Sequence, residues 1–242
     1  MEWFKEWFDS PYYHLLYGAR NDHEAWLFID NLLAYMRTPT NSTMLDLGCG
    51  KGRFAKYLAH KGFDVTGVDY SPQSIAFAKA FEQENLSFYT HDMRDVFRIN
   101  YFDYVLNFFT SFGYFEKPKE NERTLKNVYK NLKPNGVFII DYFNSKYVLN
   151  NLVPNETKTI CDVVFDISKK ISGDFVVKDI KFTSEDKNYY FQERVRAFSE
   201  RELVDLLLAA GFDVQTIFGN YQLQPFDADH SKRIIIIAKK AS

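Results

Sequence analysis

One short stretch limits the folds open to this chain more than any other: Asp46-Leu47, followed at once by Gly48-Cys49-Gly50-Lys51-Gly52. Met44 to Leu47 reads as a short strand, and Phe54, Leu58 and the alanines near them resume a helical face. Glycines between a strand and a helix let the backbone turn tightly and approach a ligand where a Cβ would collide. Such a turn belongs at the carboxyl edge of a parallel sheet, and the next hundred residues repeat the strand-then-helix pattern.

Val65 to Asp69 is the next strand, and Ser71-Pro72 opens a helix with serine as cap and proline at the first helical position. Leu86 to Tyr89 makes a third strand, ending before His91-Asp92-Met93-Arg94-Asp95. Phe102 to Phe109 reads as a fourth, and Glu120 to Leu132 as a helix closed by Lys133-Pro134-Asn135-Gly136. Val137 to Ile140 is a fifth strand, running into Asp141-Tyr142-Phe143-Asn144. The alternation predicts parallel strands covered by helices on both faces.

Residues 1 to 38 read as helical or irregular, with Glu24 to Tyr35 at near-helical spacing. After the fifth strand the period changes. Ile160 to Ile167, Phe175 to Phe182 and Tyr189 to Ala197 are alternating or β-branched runs, separated by Ser172-Gly173-Asp174 and Ser184-Glu185-Asp186. They predict an antiparallel insertion. Ser199 then caps a helix with Glu202 as its capping-box partner, and Phe212 to Phe218 with Arg233 to Lys239 supply two last strands. The expected division is 1–146 for an N-terminal helical lid and the first part of the α/β domain, 147–198 for the insertion, and 199–242 for the closing helix and strands.

Bulk properties agree with one such domain: 242 residues, 46% of them apolar. Thirty Lys plus Arg stand against 32 Asp plus Glu, so no broad attraction to nucleic acid is expected. Cys49 and Cys161 form no ligand cluster, which argues against a disulfide scaffold or structural zinc, and no catalytic metal is expected. The aromatic N-terminus lacks a secretory pattern, and apolar runs such as Ile234 to Ala238 are too short to cross a bilayer. A cytoplasmic protein without membrane contact is the expectation.

Two acids follow the glycine turn. Asp69, at the end of the second strand, can accept both hydroxyl hydrogens of a ribose, and Asp92, after the third, can accept from an adenine amino group. In a parallel sheet all three features face one crevice. A nicotinamide site would want G-x-G-x-x-G, whereas the glycines here are spaced G-x-G-x-G and position 53 is arginine. Lys51-Gly52 is not the Lys-Ser or Lys-Thr pair of a Walker loop.

Asp46 to Gly52, Gly67-Val68-Asp69-Tyr70-Ser71 and His91-Asp92-Met93-Arg94 closely resemble successive motifs of the class I S-adenosylmethionine-dependent methyltransferases. The resemblance implies a doubly wound, mostly parallel seven-stranded sheet in the order 3-2-1-4-5-7-6, its last strand antiparallel, with the small antiparallel β insertion covering the active site. It implies S-adenosyl-L-methionine as cofactor and S-adenosyl-L-homocysteine as product. Gly48 and Gly50, with Cys49 between them, are then expected to border the methionine part and the ribose. By the same resemblance Asp69 is expected to hold the ribose hydroxyls, Tyr70 beside Ser71 to pack on adenine, Asp92 and Met93 to line its edge, and Asn107 to help hold the methionine end. Phe108 to Phe115, with Tyr12-Tyr13, Tyr17 and Arg20, resembles a small-molecule branch that includes aminosugar N-methyltransferases and uncharacterised bacterial proteins.

Methyl transfer needs an acceptor lone pair in line with the sulfonium methyl, so alignment and exclusion of water can supply much of the catalysis. Ser111, Tyr114 and Tyr17 are the expected catalytic residues, the first two on the aromatic loop and Tyr17 on a lid with Tyr13. Arg20 is expected to pair with the cofactor carboxylate. Arg194 and Arg196 share a strand face; they receive an anionic acceptor if it looks into the cleft and solubilise the protein if it looks outward. His91 suits a supporting role and His230 is a weak candidate base. Asn107-Phe108-Phe109-Thr110 stands where DNA and protein-glutamine methyltransferases often carry Asn/Asp-Pro-Pro-Tyr, which argues against nucleic acid as substrate. The leading reading is methyl transfer to nitrogen or oxygen of a small metabolite, with nitrogen preferred. The competing readings are a tRNA or protein methyltransferase and a non-catalytic cofactor-binding or structural module. A monomer and a homodimer are equally compatible with the sequence.

Overall fold

The computed structural model describes residues 2–18 and 22–241. Three helices open the chain: α1 (Trp3–Phe8), α2 (Pro11–Tyr17) and α3 (Asp22–Met36). The α/β run follows as β1 (Thr43–Leu47), α4 (Arg53–His60), β2 (Asp64–Asp69), α5 (Pro72–Ala78), β3 (Leu86–Thr90), β4 (Phe102–Asn107), α6 (Pro118–Asn131) and β5 (Leu132–Phe143). Next come α7 (Ser145–Asn150) and the insertion strands β6 (Asn155–Ile160), β7 (Val163–Ser172), β8 (Phe175–Ser184) and β9 (Lys187–Arg196). The chain closes with α8 (Glu200–Ala209), β10 (Phe212–Phe218) and β11 (Arg233–Lys240).

The main sheet runs β10-β11-β5-β4-β1-β2-β3, with β11 antiparallel to β5. Counting only its own strands, this is the expected order 3-2-1-4-5-7-6. The insertion is a separate four-stranded antiparallel sheet, β6-β7-β8-β9. Because successive side chains of a buried strand point to opposite faces, β1 feeds two cores. Met44 joins Phe28, Phe54, Leu58 and Ile75 under α3, α4 and α5. Leu45 and Leu47 join Leu125, Val128, Leu203 and Leu207 under α6 and α8. No helix among the described residues is long and apolar enough to cross a membrane.

A third core binds the N-terminus to the insertion. Trp7 and Leu16 pack with Phe165, Ile167, Ile180 and Phe182 of the small sheet. Trp7 is 0% exposed, and losing a side chain of that size from a core costs on the order of 3–5 kcal/mol.

Local readings need three corrections. The run Ile160 to Ile167 is not one strand: it breaks at Cys161 (φ 46) and Asp162 (φ 65) into β6 and β7. Two successive positive φ values make a hairpin turn that usually announces itself with Asn-Gly, and Cys-Asp carries no such signal. The fourth strand stops at Asn107 rather than Phe109, because Phe109 (φ 54) and Thr110 (φ 63) swing the chain out of the sheet. Helix α7 was not legible as one; Asn144 caps it by accepting the Lys146 N–H.

Replacing Cys161-Asp162 with Asn-Gly should stabilise the protein by about 1 kcal/mol, since both residues already sit where Asn and Gly are at ease. Thermal unfolding should show a Tm higher by about 2–4 °C. An unchanged or lower Tm contradicts the turn geometry.

Candidate functional site

The glycine turn is fixed from two sides. The N–H groups of Gly48 and Cys49 both donate to the Val68 carbonyl of β2, at 2.8 and 3.0 Å. Gly48 has φ 81, and a Cβ there would stand 2.8 Å from the Ser111 Cβ on the loop after β4. Gly50 has φ 55 and open space where a Cβ would be. Its N–H donates to Asp69 Oδ2 at 2.8 Å, while the Ser71 N–H donates to Asp69 Oδ1 at 2.8 Å. Asp69 thus ties the turn after β1 to the start of α5. Burial pushes its carboxyl upward, and the N–H bonds from Ser71 and Gly50 only partly offset this.

Below the turn lies Asp46, 1% exposed. Burial, aided by the nearby Asp69 charge and opposed by the Ala55 N–H, pushes its carboxyl up to about 7. Its Oδ2 is buried with no hydrogen-bond partner among the described residues. A buried acceptor left unmatched is costly, and a cationic group from a ligand would complete it.

Asp46, Gly50 and Asp69 line one cavity of about 420 Å³. Tyr17, Gly48, Cys49, Tyr70, Asp92, Met93, Ser111 and Tyr114 line it as well. Two expected site residues do not. Asn107 is buried beneath the turn, its amide donating to the carbonyls of Leu47 (2.8 Å) and Ser111 (3.1 Å), so it braces two loops from behind. Ser71 caps α5 by accepting the Ser74 N–H, and its hydroxyl donates to Asp9. Arg20 lies outside the described residues.

Several wall residues are already engaged. Asp92 takes the backbone N–H and guanidinium of Arg94. Burial raises its pKa, but the Arg94 bonds outweigh this and leave it lowered. The Tyr114 hydroxyl donates to the Thr110 carbonyl and the Ser111 hydroxyl to the Phe108 carbonyl, so both brace their own loop. The Tyr17 hydroxyl donates to Glu193 Oε1 at 2.7 Å and accepts from Lys178 Nζ. Burial drives the Cys49 thiol well upward, which makes it packing and not a nucleophile.

Other wall residues carried no sequence signal. Phe4, Phe8 and His14 of α1 and α2 line the cavity. His14 Nε2 lies 3.0 Å from Ser74 Oγ. Burial, with Lys51 adding and Asp9 opposing, depresses its pKa to about 4, so the imidazole is neutral at pH 7. Asp9 Oδ1 accepts from the Ser71 hydroxyl and the Gln73 N–H, and Arg94 bridges Glu2, Asp92 and Glu120. The Asp9 and Glu2 contacts hold the lid down, and both join residues more than sixty positions apart.

Arg194 and Arg196 face away from Phe191 and Glu193 on β9. Arg196 pairs with Asp174 at 3.1 Å, and Arg194 stacks on Phe175 with Glu116 3.8 Å away. Neither lines the cavity. His230 is exposed beside Asp227, also off the cavity, whereas His91 lines it with Nε2 near the Asp95 carbonyl. A second cavity of about 340 Å³ lies between α7 and the inner face of the insertion, lined by Phe143, Tyr147, Lys178 and Glu193 among others. Lys178 and Glu193 are the partners of the Tyr17 hydroxyl, so that one side chain stands between the two spaces.

Between about pH 4 and about 7 the folded state binds the Asp46 proton more tightly than the unfolded state, so this group's contribution to stability falls as pH rises through that window. Asp46→Asn should remove the slope and make the ligand-free protein more stable than wild type at pH 8. Urea titrations at pH 5 and pH 8 check this; an equal loss of stability at both would contradict it.

A family profile described as a methyltransferase domain matches residues 39–196, more than half of the chain. A protein named as a methyltransferase, YqeM of Bacillus subtilis (strain 168), is 29% identical over 217 residues, covering 84% of this chain and 86% of that one. The dTDP-3-amino-3,4,6-trideoxy-alpha-D-glucopyranose N,N-dimethyltransferase of Streptomyces venezuelae is 23% identical over 236 residues, covering 95% and 96%. The crystal structure of an S-adenosylmethionine-dependent methyltransferase from Clostridium acetobutylicum ATCC 824 superposes with a TM-score of 0.80 at 20% identity, over 96% of each chain, a likeness of fold. The chain belongs to the methyltransferase-domain family and is a methyltransferase.

Proposed function

We propose that this enzyme transfers the methyl group of S-adenosylmethionine to nitrogen, or less readily oxygen, of a small metabolite. The observation that carries the reading is that the glycine turn, Asp69 and Asp46, whose Oδ2 has no hydrogen-bond partner among the described residues, open onto one cavity roofed by α1 and α2. That cavity falls within the size range of small-molecule sites. A roof of buried aromatic side chains leaves little room for a folded nucleic acid or protein to reach its floor.

The residues fit the cofactor. Asp46 Oδ2 would meet its ammonium group, Asp69 the ribose hydroxyls, and Gly48 to Gly50 would let the backbone approach it. Tyr70, Met93 and Asp92 would flank the base. When bound, S-adenosylmethionine supplies an electrophilic methyl on a sulfonium. The chain's own part is alignment and dryness: Phe8, Phe108, Phe109 and Tyr114 exclude water, and Tyr17 orients the acceptor from the side of the second cavity. Protonated Asp46 must ionise to meet a cation, so cofactor affinity should rise with pH towards 8. An amine acceptor can lose its proton to solvent before transfer, which fits a cavity whose one histidine on the lid, His14, leans on Ser74. The N,N-dimethyltransferase among the relatives acts on an aminosugar nucleotide and supports nitrogen.

Calorimetry should show S-adenosylhomocysteine binding and no NAD binding. Asp69→Ala should weaken the former by on the order of 100-fold, the worth of two hydrogen bonds to a charged acceptor. Labelled methyl groups should then appear on members of a panel of small amines and aminosugar conjugates. Label confined to tRNA or protein fractions would replace the small-acceptor reading, and NAD binding without S-adenosylhomocysteine binding would end it.

A further inference from the structure

The loop that walls the methyl-donor cavity opposite the glycine turn holds an unfavourable shape. Phe109 (φ 54) and Thr110 (φ 63) are consecutive non-glycine residues in the left-handed region, and Thr is β-branched. Such a conformation persists only where its surroundings over-determine it. Asp141, at the end of β5 and 0% exposed, supplies that determination. Its Oδ2 accepts the Phe109 N–H at 2.9 Å and its backbone carbonyl accepts the Thr110 N–H at 2.9 Å. Its Oδ1 accepts from Arg233 Nε at 2.7 Å, and the other arm of the same guanidinium donates to Thr110 Oγ1 at 3.0 Å. The Tyr221 hydroxyl donates to Oδ2 at 3.1 Å.

A buried ion pair is weak evidence of stability, because apolar residues of similar volume often serve as well. Here both partners reach the same two strained residues. Those residues aim Phe108 and Phe109 into the cavity and set Ser111 against Gly48, closely enough that a Cβ on Gly48 would collide. A displacement of about 1 Å at such a wall can cost on the order of 100-fold in rate.

We propose that Asp141, with Arg233, is a positioning residue for methyl transfer: it holds the Phe109-Thr110 turn in its left-handed shape so that the loop and the glycine turn close on the cofactor together. The inference rests on the proposed cofactor site. It assigns the pair no contact with substrate.

The test uses the full chain, S-adenosylhomocysteine as probe, and two readouts, Kd by calorimetry and Tm by thermal unfolding. Asp141→Asn keeps the shape and removes the charge; it should raise Kd roughly tenfold or more and lower Tm. Adding Thr110→Gly should recover most of the affinity, because glycine adopts the left-handed turn unaided, while Tm stays low because the ion pair is still broken. Should Asp141→Asn fail to fold, Tyr221→Phe removes one donor from the same carboxylate and should shift Kd in the same direction by less, again relieved by Thr110→Gly. A lowered Tm with unchanged Kd, or no recovery with glycine, overturns the positioning role while leaving the cofactor site standing. Wild-type protein that binds no S-adenosylhomocysteine overturns the cofactor reading and this inference with it.

Discussion

The carboxylate of Asp69 accepts the Gly50 N–H on one oxygen and the Ser71 N–H on the other, and much of the site hangs from that clamp. It joins the turn leaving β1 to the helix start leaving β2. Both strands are buried and parallel, with Leu47 opposite Val68, so the two loops emerge side by side at one edge. The clamp costs burial of a charge, visible in the raised Asp69 and Asp46 pKa values. A chain selected for stability alone would hardly set a buried carboxylate, Asp46, so near a half-buried one, Asp69. Their presence makes sense where a ligand completes them.

The roof of the cavity is built by long-range packing. Helices α1 and α2 lie between the α/β domain and the small sheet and adhere to both. Phe4 meets Tyr70 and Phe115 edge-on, while Trp7 stacks at a tilt on Phe191 and donates to Glu193. The insertion therefore covers the site through the N-terminal helices. Glu193 is central: burial raises its pKa, but Lys178, Trp7 and Tyr17 together leave it lowered. One carboxylate on β9 thus fixes both the roof and the Tyr17 hydroxyl, and itself lines the second cavity.

Legibility followed the range of the interactions. The order of the main sheet was readable because each strand-helix unit carries its own period and its own Gly or Ser-Pro punctuation. The glycine turn, Asp69 and Asp92 were readable because strand ends in a parallel sheet share an edge. The Cys161-Asp162 turn was not, because neither residue is a turn former of the needed kind. Asn107 and Ser71 were expected at the cavity but do not line it, because their side chains satisfy backbone groups and Asp9. The roles of His14 and Asp9, and the link from Arg94 to Glu2, were invisible, since those partners lie far along the chain.

The sequence by itself determined a doubly wound sheet, a glycine turn with acids at the next two strand ends, and hence a class I methyltransferase. Those features depend on neighbours a few residues apart and on the fixed geometry of strands and helices. Only the tertiary structure decided that one buried oxygen of Asp46 is left unmatched among the described residues below the turn, that Asp141 and Arg233 hold the loop after β4, and that α1 and α2 roof the cavity. Each of these is a meeting of side chains from distant segments, set by how three cores pack together, and no local pattern of residues encodes which atoms will meet.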